Sequence, residues 1–475
     1  MVPLAAGVYS TFREFSMSIL SRSIALGLGL SAAALAFSPS AWAVPSFARQ
    51  TGLACAACHT TYPELTSFGR LFKLNGYTLT GLQQVQASAG SGMPALKINE
   101  IPPFSAMFIT SASHLNKSMP GGTGLKNQNN TVEFPQQMSF FFAGEISPHL
   151  GSFLQFTYDN QPGSFTIDNT DIRYANHTSF GGDDLIYGLD MNNNPSVEDP
   201  WQDTPAWGYP FTSSDQTPGP AAAMVDGNLA QNVAGLGGYF LWNNTLYGDV
   251  TLYRSVPGES NRPYTTGYNN TTGQDVINGV APYWRIALQH NFGANYLEVG
   301  TYGMYAAMNP GTLGAGVVYS GQNTYLDTAL DAQYERYFGD NSLVLRSTYI
   351  HEKQTLDASY SVAAVSNRSN TLNTFRINGT YHFGSSKSLS LAYFNTSGSS
   401  DALLYASGAG TGFANGSPNT TGYIAQATYL PWQNVQVGVQ YTGFTKFNGA
   451  SSNYDGAGRS ASDNNTVYVY GWFMW

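Results

Sequence analysis

From about Pro103 to the C-terminus, apolar and polar residues alternate with a period of two. In Val435–Thr442, Val435, Val437, Val439 and Tyr441 take one face; Gln436, Gly438, Gln440 and Thr442 take the other. Val467, Val469, Phe473 and Trp475 share a face, and Leu154, Phe156 and Tyr158 alternate with Gln155, Thr157 and Asp159. Each run reads as a β-strand with one apolar side. About sixteen such runs can be counted, the last ending at Trp475. Short joins (Pro148–Leu150, Asn243–Asn244, Asn291–Gly293, Gly339–Asp340, Gly384–Ser386, Trp432–Gln433) alternate with long polar loops. The long loops lie near residues 116–131, 193–229, 257–279, 309–322, 354–370, 401–418 and 449–464. Short turns on one rim and long loops on the other predict an all-β transmembrane barrel of about sixteen antiparallel strands, with the short turns periplasmic. An even strand number puts both barrel ends on that side. A secreted sandwich has no reason to sort its loops by length.

Charge changes the picture next. Strand charges (Glu145, Asp159, Asp171, Arg173, Arg285, Asp327, Asp331, Glu335, Arg346 and Arg376) fall opposite the apolar face. Each would cost a few kcal/mol against lipid at mid-bilayer, so all are expected to point into a polar lumen, as lining or as bracing ion pairs. The composition agrees: 10% charged residues, 14% aromatics with 31 Tyr and 27 Phe, and 51 Gly. An average protein is about a quarter charged. The acidic balance argues against nucleic acid as a partner.

The first 43 residues read as a secretory signal: Arg22, an apolar run from Ile24 to Phe37, and small residues at Ala41-Trp42-Ala43. The true start is Met1 or Met17. Removing residues 1–43 takes Arg13, Glu14 and Arg22 from totals of 20 basic and 29 acidic residues, leaving 18 and 28, a formal net charge of −10. No later apolar stretch reaches the length of a transmembrane helix. Residues 44–98 form a separate small unit, and 99–475 the barrel. In that unit Thr61 or Tyr62 before Pro63 predicts a helix start, Leu65, Phe68 and Phe72 share a face, and Gly76 marks the stop. Ala87–Gly92 has the composition of a flexible linker.

The chain's two cysteines both fall in Cys55-Ala56-Ala57-Cys58-His59. C-x-x-C-H is the attachment site of a c-type haem: two thiols add to the haem vinyls and the adjacent imidazole ligates iron. A disulfide between Cys55 and Cys58 is the bland alternative. A zinc site is short of ligands, because His59 is the only histidine between Val44 and Gly92. One haem below a hydrocarbon core about 30 Å thick is far from a donor above it. A barrel of porin width can be plugged. Residues 44–98 are therefore expected as a small α-helical plug inside the barrel or at its periplasmic mouth.

The stretch Phe47–His59, with Pro63-Glu64-Leu65, Phe68–Lys73 and Gly76-Tyr77, resembles the fused monohaem cytochrome–porins of bacterial outer membranes, as does the loop segment Thr204–Gly208. Characterised members of that family oxidise extracellular ferrous iron. The resemblance implies one covalent haem c on Cys55 and Cys58, with His59 as an axial ligand. It further implies an Fe(II):cytochrome c oxidoreductase that passes electrons from an extracellular donor to a periplasmic c-type cytochrome or other soluble carrier. Donors other than iron occur in the wider family.

The second axial ligand has four downstream candidates, Met93, Met107, Met119 and His114, with Met93 put forward. Methionine opposite histidine would raise the potential relative to two histidines. Loop 193–229 carries Glu198, Asp199, Asp203, Asp215 and Asp226, either hard ligands that attract iron or solvating charge on a surface loop. Arg49, Arg70 and Lys73 are either contacts to a propionate or partner, or ordinary surface. Two other functions stay open: a plain diffusion porin, and a periplasmic electron-transfer module merely anchored by a barrel. No nucleophile triad, P-loop or dinucleotide fingerprint is present.

Overall fold

The computed structural model describes residues 46–79, 84–87, 96–120, 129–159, 164–205, 208–255, 275–311 and 320–475. The expected leader, Met93 and the linker beyond Ala87 lie outside them. From Phe104 onward the alternation becomes sixteen antiparallel strands. They are β1 Phe104–Leu115, β2 Asn130–Ser147, β3 Leu150–Asp159, β4 Ser164–Phe180, β5 Asp183–Asn192, β6 Val233–Trp242, β7 Leu246–Ser255 and β8 Ala281–Phe292. The second half comprises β9 Asn295–Asn309, β10 Asn323–Phe338, β11 Asn341–Leu356, β12 Ser369–Phe383, β13 Lys387–Gly398, β14 Thr420–Trp432, β15 Val435–Lys446 and β16 Thr466–Met474. Each pairs with its sequence neighbour, and β16 returns to β1 from Thr466↔Leu115 to Met474↔Met107. That closure removes the unpaired edges a sheet cannot expose to hydrocarbon. A two-residue strand, Val276–Ile277, lies against the far end of β9.

The two faces separate as the pattern requires. On β16, Val467, Val469 and Phe473 point out, while Tyr468, Tyr470, Trp472 and Met474 are buried inside. Leu236, Leu330 and Leu391 are 66%, 64% and 68% exposed on the outer wall, an unfavourable arrangement in water and a natural one against lipid. Phe180, Phe292, Phe338, Phe383 and Trp432 are exposed at strand ends beside the short turns, an aromatic girdle at one membrane interface. The geometry is that of an outer-membrane barrel.

The turn Trp242–Thr245 is closed by a 2.9 Å hydrogen bond, with φ of +50° and +47° at Asn243 and Asn244, the left-handed pair a tight hairpin needs. Gly181 and Gly182, at +67° and +95°, make a further short turn that the spacing of polar residues alone does not pick out. The loop alternation has one departure: β3 ends at Asp159 and β4 begins at Ser164, a short join on the long-loop rim.

Of the strand charges expected inside, Glu145, Asp171, Arg173, Arg285, Asp327, Asp331, Glu335 and Arg346 are buried there. Arg376 is partly buried and pairs with Asp226 at 3.4 Å. The side chain of Asp159 lies outside the described residues.

At the long-loop rim Asp401 accepts hydrogen bonds of 2.8–3.2 Å from the amides of Ser366, Asn367, Leu403 and Leu404 and from the Asn370 side chain. Burial alone would raise this carboxyl, but those donors hold it well below the usual carboxylate range. Its contribution is complete above about pH 4 and fades only as pH falls through the lower folded value. Asp401→Ala is expected to cost about 1–3 kcal/mol and to open loop 399–419 to protease, read by limited digestion.

Candidate functional site

Residues 46–79 fold inside the short-turn half of the barrel, held by polar ties to the wall. Three short helices organise them: α1 Ser46–Thr51, α2 Cys55–Cys58 and α3 Ser67–Leu74. The helix expected at Thr61 or Tyr62 begins instead at Ser67. Thr66 is its cap, with its side chain accepting from the Gly69 amide, while Tyr62-Pro63 forms a turn closed by the His59–Leu65 bridge. Gly76, at φ +69°, ends the segment as expected. Beyond it, Gln84–Ala87 pairs with Leu96–Asn99 on either side of the expected linker.

Helix α2 puts Cys55 and Cys58 one turn apart, and neither forms a disulfide. It lies near the short-turn rim, where the Cys55 amide donates to Gln433 Oε1 at 3.1 Å. Burial raises Cys55, and it pushes the Cys58 thiol up to about 11, with Cys55 beside it adding to the rise. Burial lowers His59 against the pull of the Pro63 and Glu64 carbonyls. The donor set is thus uncharged at neutral pH. His59 Nδ1 is buried without a hydrogen-bond partner. Two thiols one helical turn apart, followed by an imidazole with an unsatisfied ring nitrogen, fit a covalently attached haem.

The residues expected from the sequence as a second iron ligand fall in different places. Met107 is buried in a cluster with Cys55, Tyr62, Tyr470 and Trp472. Met474 shares that cluster and is missed by any search for nearby downstream residues, because β16 closes onto β1 only in three dimensions. His114 is exposed near the long-loop end of β1 and contacts Asn130 at 2.7 Å, and Met119 lies beyond that end. Neither is near the motif.

The basic residues are spent on the wall. Arg70 pairs with Glu335 at 2.8 Å and stands over the Tyr296 ring; Lys73 donates to the Val197 carbonyl and lies 3.9 Å from Asp171. Arg49 donates to the Phe104 carbonyl at 3.1 Å. The sequence alternatives of a propionate contact or a free surface give way to packing for Arg70 and Lys73. The plug is latched further by Glu64, which pairs with Arg346 and lies 3.2 Å from His382 Nε2. Burial acts to raise Glu64, but Arg346 and His382 outweigh it and hold the carboxyl below the usual range. The latch is therefore full above the unfolded value near pH 4.3 and survives into more acid solution. Glu64→Ala leaves Arg346 without this carboxylate and is expected to weaken plug seating by about 3–5 kcal/mol. Protease added at the short-turn face should cut the variant plug and spare the wild type, even near pH 3.

Loop 193–229 also departs from expectation. It folds into the lumen, where Glu198, Asp199, Asp203 and Asp226 are buried and Asp215 alone of its five expected acids is exposed. The cause lies in the packing: Val197 and Trp201 need cover, and the acids meet inward arginines. Arg173 Nη2 donates to Glu198 at 2.9 Å, and Arg285 Nη2 lies 3.3 Å from Asp199. Asp199 also accepts from the Trp201, Asp203 and Thr204 amides at 2.7–2.9 Å. Plug and loop together cover the inner wall. Arg285, Thr251, Gln333 and Tyr302 are 0% exposed, so this part of the inner wall is covered.

No family model matches the chain, and no curated protein matches it. Solved structures similar to it include outer-membrane proteins. OmpF of Salmonella typhi, in complex with daunomycin, has a TM-score of 0.44 at 12% identity over 78% of this chain and 97% of its own. The outer-membrane channel DcaP of Acinetobacter baumannii gives 0.43 at 12% identity over 79% and 97%. Outer-membrane-expressed OmpT of Vibrio cholerae gives 0.42 at 11% identity over 83% and 100%.

Proposed function

We propose that this protein is an outer-membrane electron conduit, a barrel whose N-terminal plug carries one covalent haem c on Cys55 and Cys58, with His59 as an iron ligand. The bound haem would supply reversible one-electron chemistry. Electrons would enter from an extracellular donor, with Fe(II) the first choice, and leave to a periplasmic c-type cytochrome. The observation that carries the reading is a C-x-x-C-H helix built into a lumen that plug and loop have filled. A diffusion pore has no use for such filling. Around the motif, Tyr62, Trp472 and Met107 keep water away, and Tyr470 stacks on Tyr468 at 5.3 Å along the inner face of β16. The uncharged thiols and imidazole suit a site that must accept a large apolar ring. Gln433 and Gln436 hold the motif and Tyr62 to the wall through the Cys55 and Tyr62 amides, at 3.1 Å each.

The competing reading is a diffusion porin, which the sixteen-strand wall by itself would equally suit. Stopped-flow optical spectroscopy of the purified protein separates them. Ferrous iron should reduce a c-type spectrum, and planar bilayers should show no steady conductance. A protein without bound haem that conducts ions is a porin. Haem that other donors reduce and iron does not would remove iron alone.

A further inference from the structure

Inside the lumen, on either side of Arg285, acids outnumber bases. In one group Asp171, Asp190, Glu198 and Asp249 share Lys73 and Arg173; in the next, Asp199, Asp203, Glu298 and Asp331 share Arg285, with Arg346 already committed to Glu64. Buried carboxylates without compensation cost several kcal/mol each, so something must neutralise them. Two triads stand out: Asp190, Glu198 and Asp249, and Asp203, Glu298 and Asp331. Within each, one oxygen from every carboxylate lies within 4.8 Å of the other two. Oxygen ligands about 2.1–2.6 Å from one ion fall within about that span of each other.

A second observation points the same way. Asp190 is 1% exposed and Asp203 is 5% exposed, yet no amide, hydroxyl or guanidinium donates a hydrogen bond to either side chain, and each faces another carboxyl, Asp190 towards Glu198 and Asp203 towards Asp331. Their nearest cations are distant for buried pairs: Arg173 is 3.9 Å from Asp190, and Arg346 is 3.8 Å from Asp203. The neighbouring arginines are turned to other acids, Glu198 and Asp331 among them. Buried acceptors with nothing to accept are rare in folded proteins and mark an absent partner.

We propose that each triad binds one hard divalent cation inside the barrel, with Asp190, Glu198 and Asp249 as ligands at the first site and Asp203, Glu298 and Asp331 at the second. An all-carboxylate set selects Mg²⁺, Ca²⁺, Mn²⁺ or Fe²⁺ over softer metals. Glu198 and Asp203 come from the inward loop and the other four ligands from the wall, so the ions pin loop to barrel. A cavity of about 190 Å³, lined by Arg70, Trp201, Gln289 and Tyr296, lies between α3 and the turn residues Asn244 and Asn291. Tyr296 and Glu298 share the inner face of β9, so this cavity approaches the second site from the periplasmic end. The inference stands whether or not the motif carries haem.

Mn²⁺ is the probe. The full-length protein is stripped with chelator and titrated, and free Mn²⁺ is counted by its solution EPR signal. Two ions should be retained per chain. Asp190→Asn and Asp203→Asn should each retain one and the double variant none, while Asp215→Asn, at an exposed acid of the same loop, should keep two. Heat-modifiable migration on gels reports that each barrel is folded. Wild type that retains no Mn²⁺ overturns the proposal without recourse to any variant. Folded Asp190→Asn and Asp203→Asn that still hold two ions overturn it equally.

Discussion

Deleting residues 46–79 in frame should turn a closed barrel into a cation-selective pore. The wall does not need the plug to persist, since each strand is paired to its neighbours and the outer apolar belt faces lipid regardless. What the deletion removes is cover. Arg70 leaves Glu335, Lys73 leaves Asp171 and the Val197 carbonyl, and Tyr77 releases Asp171, which it now meets at 2.5 Å. Water replaces each partner, so the buried charges of the wall are hydrated rather than stranded. A sixteen-strand barrel is wide enough for an aqueous channel once emptied. Loop 193–229 stays behind as a constriction, anchored by Arg173 and Arg285. Around it acids outnumber bases, so cations should pass in preference to anions. Planar-bilayer recording under a salt gradient checks this: steady steps with a cation-selective reversal potential for the deletion, and a quiet membrane for the full chain. A deletion variant that folds and stays closed would mean the loop alone seals the lumen.

The wall is legible in the amino-acid sequence because lipid and lumen impose opposite demands on successive residues. Val437 and Val439 must face outward and Gln436 and Gln440 inward, and no other placement tolerates both. The string Cys55-Ala56-Ala57-Cys58-His59 stands out for a similar reason, since the haem attachment proposed for it would demand a fixed local spacing. Loop 193–229 is not. Its acids read as solvated charge because the arginines that receive them, Arg173 and Arg285, lie on strands whose inward register becomes a shared interior only on closure. The same holds for Met474, the last strand's inward residue, which reaches Cys55's cluster by ring closure. Proline before an apolar run signals a helix start at Thr61 or Tyr62, whereas the true cap of α3, Thr66, is recognisable only by its bond to Gly69. Non-local burial is what single-sequence reading misses.

Replacing both Cys55 and Cys58 with alanine should abolish covalent haem while leaving the barrel folded. The two thiols contribute no covalent tie to the wall, since no disulfide involves them. The neighbouring ties persist: the Cys55 amide donates to Gln433 from the backbone, and Glu64 still meets Arg346. Truncating buried Cys55 and half-buried Cys58 costs packing, on the order of 1 kcal/mol or less for each small side chain, against a barrel closed by sixteen paired strands. Haem staining on denaturing gels and intact-mass measurement should therefore fall from one haem per chain to none, at unchanged heat-modifiability. His59→Ala should behave differently. With both thiols kept, the covalent mass remains, and loss of the imidazole appears in the absorption spectrum and in a shifted reduction potential. Met107→Ala and Met474→Ala test the two methionines buried in the cluster with Cys55: one that would hold the iron should move the potential, and one that only packs should not. If the double cysteine variant keeps the full haem mass, attachment lies elsewhere and the conduit reading fails at its origin.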